Sequence, residues 1–82
     1  MTIKVIGVEN QNFKFNDGKQ YTGKKIHCAV VDQHNDGLVG CPVEVIKISS
    51  SNEFYSVPID VDKLYVVFFD QKGKVAYFAP SK

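Results

Sequence analysis

A strand-like alternation within residues 17–32 is the feature that most constrains the fold of this chain. The stretch opens on an Asp17-Gly18 turn, crosses a basic segment, and ends in a period-two pattern with Ile26, Cys28 and Val30 on one face. If the extended backbone reaches back to the turn, the other face points to solvent. That face carries Lys19, Tyr21, Gly23, Lys25 and His27. The sequence therefore predicts a strand with one apolar face and one basic face that bears a tyrosine.

A basic face with an aromatic ring suits single-stranded nucleic acid, because bases stack on rings and phosphates attract ammonium groups. The alternative is an ordinary solvated hairpin in which Tyr21 covers the end, since exposed Lys and Tyr are common near turns. All 10 cationic side chains are Lys, and Arg is absent. Lys acts as a point charge and lacks the planar fork that reads guanine edges. Binding that tolerates any base sequence therefore fits better than base-specific recognition.

The chain length and its charge distribution set the scale of the protein. Its 82 residues predict one domain, residues 1–82, with a small core. The formal net charge of +1 does not by itself indicate a polyanionic partner. However, residues 1–25 and 63–82 are basic, whereas residues 26–62 are acidic and contain Lys47 as their single cation. Basic ends around an acidic middle predict one basic and one acidic face.

The remainder of the chain predicts strands and turns, because no segment shows the i, i+3, i+4, i+7 spacing of an amphipathic helix. Residues 2–8 predict a first strand, which residues 10–12 interrupt and residues 13–15 extend with two Phe rings on one face. Residues 33–37 predict a turn, and residues 38–49 predict the next strand. That strand is expected to be irregular at Pro42 and to bulge between Val45 and Ile46. Residues 54–61 are too broken for a strand.

The last hairpin is the best defined. Residues 63–70 predict a strand, residues 71–74 a turn and residues 75–79 a returning strand. Both faces of the first arm are apolar, with Leu64, Val66 and Phe68 on one and Tyr65, Val67 and Phe69 on the other. Either a partner subunit or the curvature of a barrel would cover the second face. Five strands with Gly-containing turns predict an all-β fold, a small five-stranded antiparallel barrel of the OB-fold type.

The residues give little support to catalysis or to metal binding. Cys28 and Cys41 both lie in apolar alternation, and without an export signal we expect buried free thiols and a cytoplasmic protein. Their spacing from His27 and His34 lacks the paired clamp of a zinc site. The pair Asp60 and Asp62 is typical of a solubilising surface, and no acid, base and nucleophile converge. We therefore expect no enzyme activity, no metal, no cofactor, no small-molecule substrate and no membrane contact.

Several short motifs occur in an order that resembles the filamentous-phage gene V protein family. They are Met1-Thr-Ile-Lys-Val5, Phe13, Gly18-Lys-Gln-Tyr21, Tyr55-Ser-Val57 and Pro80-Ser-Lys82. Members of that family are dimeric, helix-destabilising OB-fold proteins that coat single-stranded DNA cooperatively during phage replication. The resemblance implies the same fold, a homodimer and a single-stranded DNA partner, with RNA not excluded. For a phage-encoded protein the compartment is the host cytoplasm.

The resemblance also implies a set of nucleic-acid-binding residues. The family tyrosine that stacks on bases corresponds to Tyr21, and the phosphate contacts correspond to Lys19 and, by proximity, to Lys24 and Lys25. An aromatic residue near the final turn is implied, with Phe68 and Phe69 as candidates, and Phe69 is taken into the predicted set. The further predicted contacts are Lys14, His27, Lys72 and Lys74. The alternative is a small β-barrel protein-interaction module without nucleic-acid binding, whose contact surface would comprise Tyr65, Val67, Phe69 and Tyr77.

Overall fold

The structure is a computed structural model and describes residues 1–81. Its strands are β1 (Thr2–Lys14), β2 (Gln20–Val30), β3 (Val43–Ser49), β4 (Leu64–Phe69) and β5 (Val75–Pro80). They form one sheet in the order β3-β2-β1-β4-β5, and every pairing is antiparallel. The prediction of an all-β fold with five antiparallel strands is thus confirmed. No ladder joins β3 to β5 within residues 1–81, so the barrel and the OB-fold remain predictions.

The core lies on one face of this sheet. The predicted apolar face of β2 is confirmed, since Ile26, Cys28 and Val30 are fully buried. They pack with side chains from all the other strands, namely Ile3, Val5, Ile46, Ile48, Tyr65, Val67, Val75 and Phe78. The segment between β3 and β4 covers this face with Phe54, Tyr55, Val57 and Ile59. Its path is fixed by the Tyr65 hydroxyl, which accepts from the Asp60 N–H at 2.7 Å and donates to the Pro58 carbonyl at 3.3 Å.

The β1–β2 hairpin extends well beyond the core. The molecule measures 45 × 27 × 26 Å, and its radius of gyration is 13.9 Å, whereas a compact chain of this length would have about 12 Å. The predicted interruption at residues 10–12 is wrong, because β1 continues to pair with β2 through these residues. Across the ladder, the Gln20 side-chain amide donates to the Asn12 side-chain oxygen at 2.6 Å. The cross-strand pairing therefore outweighs the weak strand preference of Asn.

The third strand is shorter and more regular than its sequence suggested. β3 begins at Val43, so residues 38–42 are not part of the strand; Gly40 there has a φ of +97° and Pro42 lacks a donor. The bulge expected between Val45 and Ile46 is absent, because β3 pairs with β2 in unbroken register. Register shifts occur instead at Val5/Gly7 in β1 and at Phe68/Phe69 in β4. The apolar alternation of the sequence is irregular in β3 because Val43 and Val45, although apolar, lie on the exposed face.

The last hairpin forms where the sequence predicted it. Asp70 fixes the turn, since its Oδ1 accepts from the backbone N–H groups of Lys72 and Lys74, both at 2.9 Å. The two faces of β4 differ: Tyr65 and Val67 lie in the core, whereas Leu64 and Phe68 are exposed. Residues 1–81 therefore leave side chains on the second face of β4 exposed.

The protein-contact surface expected on this hairpin requires a correction. Tyr65 and Val67 cannot belong to it, because they are buried in the core, whereas Phe69 and Tyr77 are exposed. The exposed apolar side chains of the outer face come instead from the alternate positions of β4, together with Tyr77. The period of two in a strand separates the two sets.

The two thiols are free, but only one is buried. Cys28 lies in the core, as expected, whereas Cys41 is exposed in the irregular segment before β3, so the prediction of a second buried thiol is wrong. Within residues 1–81, no three His, Cys, Asp or Glu side chains come together in a way that would hold a metal ion. The described part of the chain also has no helix of the length and apolarity needed to cross a membrane.

Candidate nucleic-acid interface

The Tyr21 ring lies across the backbone of Gly23 on the face of β2 opposite the core. A Cβ atom at Gly23 would lie 2.5 Å from the Tyr21 hydroxyl and 2.8 Å from the Ile48 carbonyl, so only Gly leaves room for the ring. Tyr21 is also the ladder partner of Phe13 across the hairpin, and their ring centroids are 5.1 Å apart. Phe15 packs edge-on against Phe13 at 5.1 Å. The Tyr21 ring is thus held in place while it remains partly exposed.

Two lysines face each other on the same side of the sheet as Tyr21. Lys25 of β2 and Lys47 of β3 are direct partners in the ladder, at a position where Cα atoms lie about 4.5 Å apart. Like charges directly opposite each other destabilise a sheet. Glu9 is the partner of Lys25 on β1 and carries the nearest cross-strand carboxylate in this row. Two lysines on one face can both pair with the same anion, so this pair is suited to hold a phosphate.

A cleft of about 620 Å³ opens between the end of β3 and the β4–β5 turn. It is lined by Tyr21, Lys47, Ser49, Ser51, Asn52, Asp70, Gly73, Lys74 and Val75. The wall is held in place because the Asn52 side-chain amide donates to the Val75 carbonyl at 2.9 Å. The cleft combines an aromatic ring, two ammonium groups, the Asp70 carboxylate and several hydroxyl and amide groups. The ring can stack on bases, the ammonium groups can pair with phosphates, and the hydroxyl and amide groups can form hydrogen bonds with single-stranded nucleic acid.

The structure brings some of the predicted site residues together. Tyr21 and Lys74 line the same cleft, and Lys25 lies on the same face as Tyr21. Lys14 and Lys19 are exposed at the tip of the β1–β2 hairpin, and Lys72 is exposed on the β4–β5 turn. Phe69 is exposed beside the cleft, as the ladder partner of Val75. His27 lies further along β2, where its Nε2 is 3.5 Å from a Glu9 carboxylate oxygen.

Lys24 is separated from this group. Its side chain lies on the core side of β2, where the ammonium donates to the Tyr55 carbonyl at 2.9 Å. The same ammonium lies 4.8 Å from the centroid of the Tyr55 ring, in a cation–π contact. Lys24 therefore ties the segment between β3 and β4 to the sheet.

Sequence reasoning missed Lys47 and Gly23 as contributors to this site. Lys47 carried a signal, because it is the single cation of the acidic middle and alternates with the apolar Ile46 and Ile48. Its position opposite Lys25 depends on the register between β2 and β3, which no local pattern specifies. The role of Gly23 depends on the direction of the Tyr21 ring, which is a tertiary property.

The Cys28 thiol, on the core face of β2, is a poor nucleophile. Burial raises the pKa of Cys28 above its ordinary value, and the nearby Glu44 carboxylate raises it further. A backbone hydrogen bond with Glu44 has a weaker, opposing effect on this pKa. Cys28 is therefore held as a neutral thiol at neutral pH, and it belongs to the core.

Comparisons with protein-family models, with curated proteins and with solved structures found no match to this chain. The likeness to the gene V protein family therefore stays a hypothesis that depends on the short motifs and on their order.

Proposed function

We propose that this protein binds single-stranded DNA with little sequence preference and coats it through lysine–phosphate contacts and aromatic–base stacking. The observation that carries the proposal is the position of the Tyr21 ring over Gly23, on the same face as the Lys25–Lys47 pair. A base stacks on the Tyr21 ring, and phosphates of the same DNA strand contact the lysine pair. Lys25 is four residues from Tyr21 along β2, which corresponds to about 14 Å of extended backbone. Lys74 lines the same cleft as Lys47 and contributes a third charge.

A single strand fits these groups better than a duplex. A base can stack on a protein ring only when it is free of its own neighbours, as in a single strand. No helix in residues 1–81 is present to enter a major groove, and no Arg is available for bidentate reading of guanine. The lysines attract any phosphate, so the contacts position the strand without reading it.

The proposal includes a homodimer formed through the outer face of β4 and β5. Leu64, Phe68 and Tyr77 are exposed there, with 55% of Phe68 accessible, and the Phe68 and Tyr77 rings lie 6.0 Å apart. A second copy that packs on this face would cover apolar area that the chain itself leaves open. The resemblance to the gene V protein family supports the same assembly, and it supports a role in phage or plasmid replication.

The test is a fluorescence titration with unlabelled oligo(dT), because the chain has four Tyr and no Trp. We expect quenching of tyrosine emission on binding, a weaker effect with duplex DNA of equal length, and an affinity that falls with salt. Oligo(U) in parallel measures the preference for DNA over RNA, since both offer bases and phosphates. Absence of binding to both oligonucleotides at low salt would overturn the proposal and favour a protein-interaction module.

A further inference from the structure

Near its tip, the β1–β2 hairpin carries its aromatic rings on one face. Phe13 and Tyr21 are ladder partners, so their side chains lie on the same face. Phe15 follows Phe13 by two residues, and its ring packs against the Phe13 ring at 5.1 Å, which places it on that face as well. The opposite face carries polar side chains here, namely those of Asn12, Lys14, Gln20 and Thr22. The hairpin therefore presents a row of aromatic rings that begins at Tyr21 and ends at its tip.

The backbone that carries Phe15 is fixed by the turn that closes this hairpin. The Phe15 N–H donates to the Lys19 carbonyl at 2.7 Å, and the Phe15 carbonyl accepts from the Gly18 N–H at 3.0 Å. Gly18 has a φ of +86°, a left-handed conformation that is typical of glycine in such a short hairpin loop. The Asp17 carboxylate accepts from the Lys19 N–H at 3.0 Å and holds the loop from within. The backbone at position 15 is therefore in place before any ligand binds.

Phe13 and Phe15 differ in how far their rings are engaged by other rings. Phe13 contacts Tyr21 in a tilted arrangement and Phe15 edge-on, with centroids 5.1 Å apart in both pairs. An edge-on contact covers at most one face of a ring, so Phe13 leaves at least one face of Phe15 free. Neither ring belongs to the core cluster, and 50% of Phe15 is accessible. Phe13 therefore braces the row of rings, whereas Phe15 offers an open aromatic face.

The area and the charge of this surface fit a nucleobase better than a protein. With 45% of Phe13 and 50% of Phe15 accessible, the two rings together expose on the order of 200 Å². Each side of a stable protein–protein interface buries about 800 Å², whereas a base needs only one ring on which to stack. Lys19 lies across the hairpin from Phe15, and Lys14 precedes Phe15 in the chain, so cations flank the ring. An aromatic ring beside ammonium groups suits a base and its phosphate.

We infer that Phe15 is a second stacking platform, which holds a different base of the same single strand that stacks on Tyr21. The inference rests on the proposed function, because it extends the same interface to the tip of the hairpin. The bound strand runs from the Lys25–Lys47 pair past Tyr21 to Phe15. This path gives a use to the projecting part of the hairpin, since residues 9–22 contribute nothing to the core cluster.

Titration of Phe15 variants with oligo(dT) tests this inference. Phe15→Leu keeps an apolar side chain and removes the π-face, so we expect the affinity to fall at least about fivefold. Phe15→Tyr is the matched control, which keeps the ring and should bind almost normally. Phe15→Trp places a single Trp in a chain that has none, and its emission can be excited apart from that of the tyrosines. Saturating oligo(dT) should quench this emission, with an affinity equal to or above that of the unmodified protein.

The outcomes separate this inference from the proposed function. Unchanged affinity in a folded Phe15→Leu protein would overturn the inference alone, provided that the unmodified protein binds oligo(dT). Unchanged emission of the Phe15→Trp protein at saturation would overturn it as well, because a stacked base must contact the indole ring. If the unmodified protein did not bind oligo(dT), the proposed function would fail and the inference would fail with it.

A double variant distinguishes stacking by Phe15 from support of the Tyr21 ring. If Phe15 holds its own base, Phe15→Leu should weaken oligo(dT) binding by a similar factor in the Tyr21→Ala protein and in the unmodified protein. Low salt keeps the affinity of the double variant within the measurable range. If Phe15 only supported Tyr21 through Phe13, Phe15→Leu would have no further effect once the Tyr21 ring is removed. That result would overturn the inference.

Discussion

Lys24 and Lys25 are neighbours in the sequence, yet they lie on opposite faces of β2 and differ in their surroundings. Lys24 is directed to the core side, where it bonds to the Tyr55 carbonyl and covers the Tyr55 ring. Lys25 is directed to the outer face, opposite Lys47 and on the side of the Tyr21 ring. One ammonium has its hydrogen-bond acceptor within the chain, whereas the other has a second cation beside it.

The comparison shows that the role of a charged residue in a strand depends on the face of the sheet on which its side chain lies. Because side chains alternate, a lysine one residue away from a phosphate contact can be a structural residue. We therefore expect substitutions on the outer face of β2 to change binding and those on the core face to change stability.

The largest effect is expected on the outer face, at Tyr21. Tyr21→Ala removes the stacking surface and should weaken oligo(dT) binding by about 1–3 kcal/mol, or about five- to a hundredfold. Tyr21→Phe keeps the ring and should bind almost normally, and a titration of both variants measures the difference. Unchanged affinity in a folded Tyr21→Ala protein would show that the ring does not stack on bases. Lower stability with normal binding would mean that the ring only packs over the hairpin.

Gly23→Ala sharpens the same comparison, because it changes the outer face without removing a functional group. The added Cβ would lie 2.5 Å from the Tyr21 hydroxyl and 2.8 Å from the Ile48 carbonyl. The ring must move and the strands must separate, so we expect a loss of about 1–3 kcal/mol in the free energy of unfolding, together with weaker binding. Denaturant unfolding of the single variants and of the Tyr21→Ala/Gly23→Ala double variant gives the coupling between the two residues. Strict additivity would contradict the contact.

Lys24→Gln tests the core face. It removes the ammonium that bonds to Tyr55, so the free energy of unfolding should fall by about 1 kcal/mol, while oligo(dT) affinity measured on the folded protein should change little. Lys25→Gln is the matched control with the opposite expectation, a weaker affinity and a nearly unchanged or slightly higher stability. If Lys24→Gln lowered oligo(dT) affinity as much as Lys25→Gln, the proposal that the two faces of β2 have different roles would be contradicted.

The smallest effect concerns pH and the core face. Burial raises the pKa of Cys28 in the folded protein, so the stability that this thiol contributes is present below its unfolded pKa of about 8.5 and is lost as the pH rises towards the folded value. The free energy of unfolding should decline over that alkaline range. Cys28→Ala should remove this part of the pH dependence, whereas Cys41→Ala, at an exposed position, should not. Identical pH profiles for the two variants would contradict the assignment.

Local sequence patterns were enough for part of this structure. The apolar face of β2 followed from alternation, and the last hairpin followed from two apolar arms around Gly73, whose φ is +80°. Sequence patterns did not predict that β1 continues through residues 10–12, because pairing with β2 outweighs the low strand preference of Asn. Sequence patterns also did not predict that Tyr65 is buried and Leu64 exposed, since both faces of β4 are apolar in sequence.

The candidate site was predictable to a smaller extent. Tyr21 and Lys25 share a face by alternation alone, and the ladder places them as expected. Lys47 joins them only through the register of β2 with β3, and Lys74 only through the approach of the β4–β5 turn to the end of β3. These relations join residues far apart in the chain, and no periodicity encodes them. Sequence alone therefore identified Tyr21 and Lys25, whereas the cleft could be identified only from the tertiary fold.

The salt dependence of oligo(dT) affinity in two double variants of equal charge tests the central claim most directly. Lys25→Gln/Lys47→Gln removes the pair beside Tyr21, whereas Lys4→Gln/Lys63→Gln removes two exposed lysines that do not line the cleft. With three or four phosphate contacts, the slope of log K against log salt should be roughly −2 to −3. The account predicts that the first double variant loses affinity and reduces the magnitude of this slope by about 1 or more, while the second keeps both near the values of the unmodified protein. Equal losses in the two double variants would mean that binding depends on net charge alone, and would contradict a defined interface on the outer face of β2.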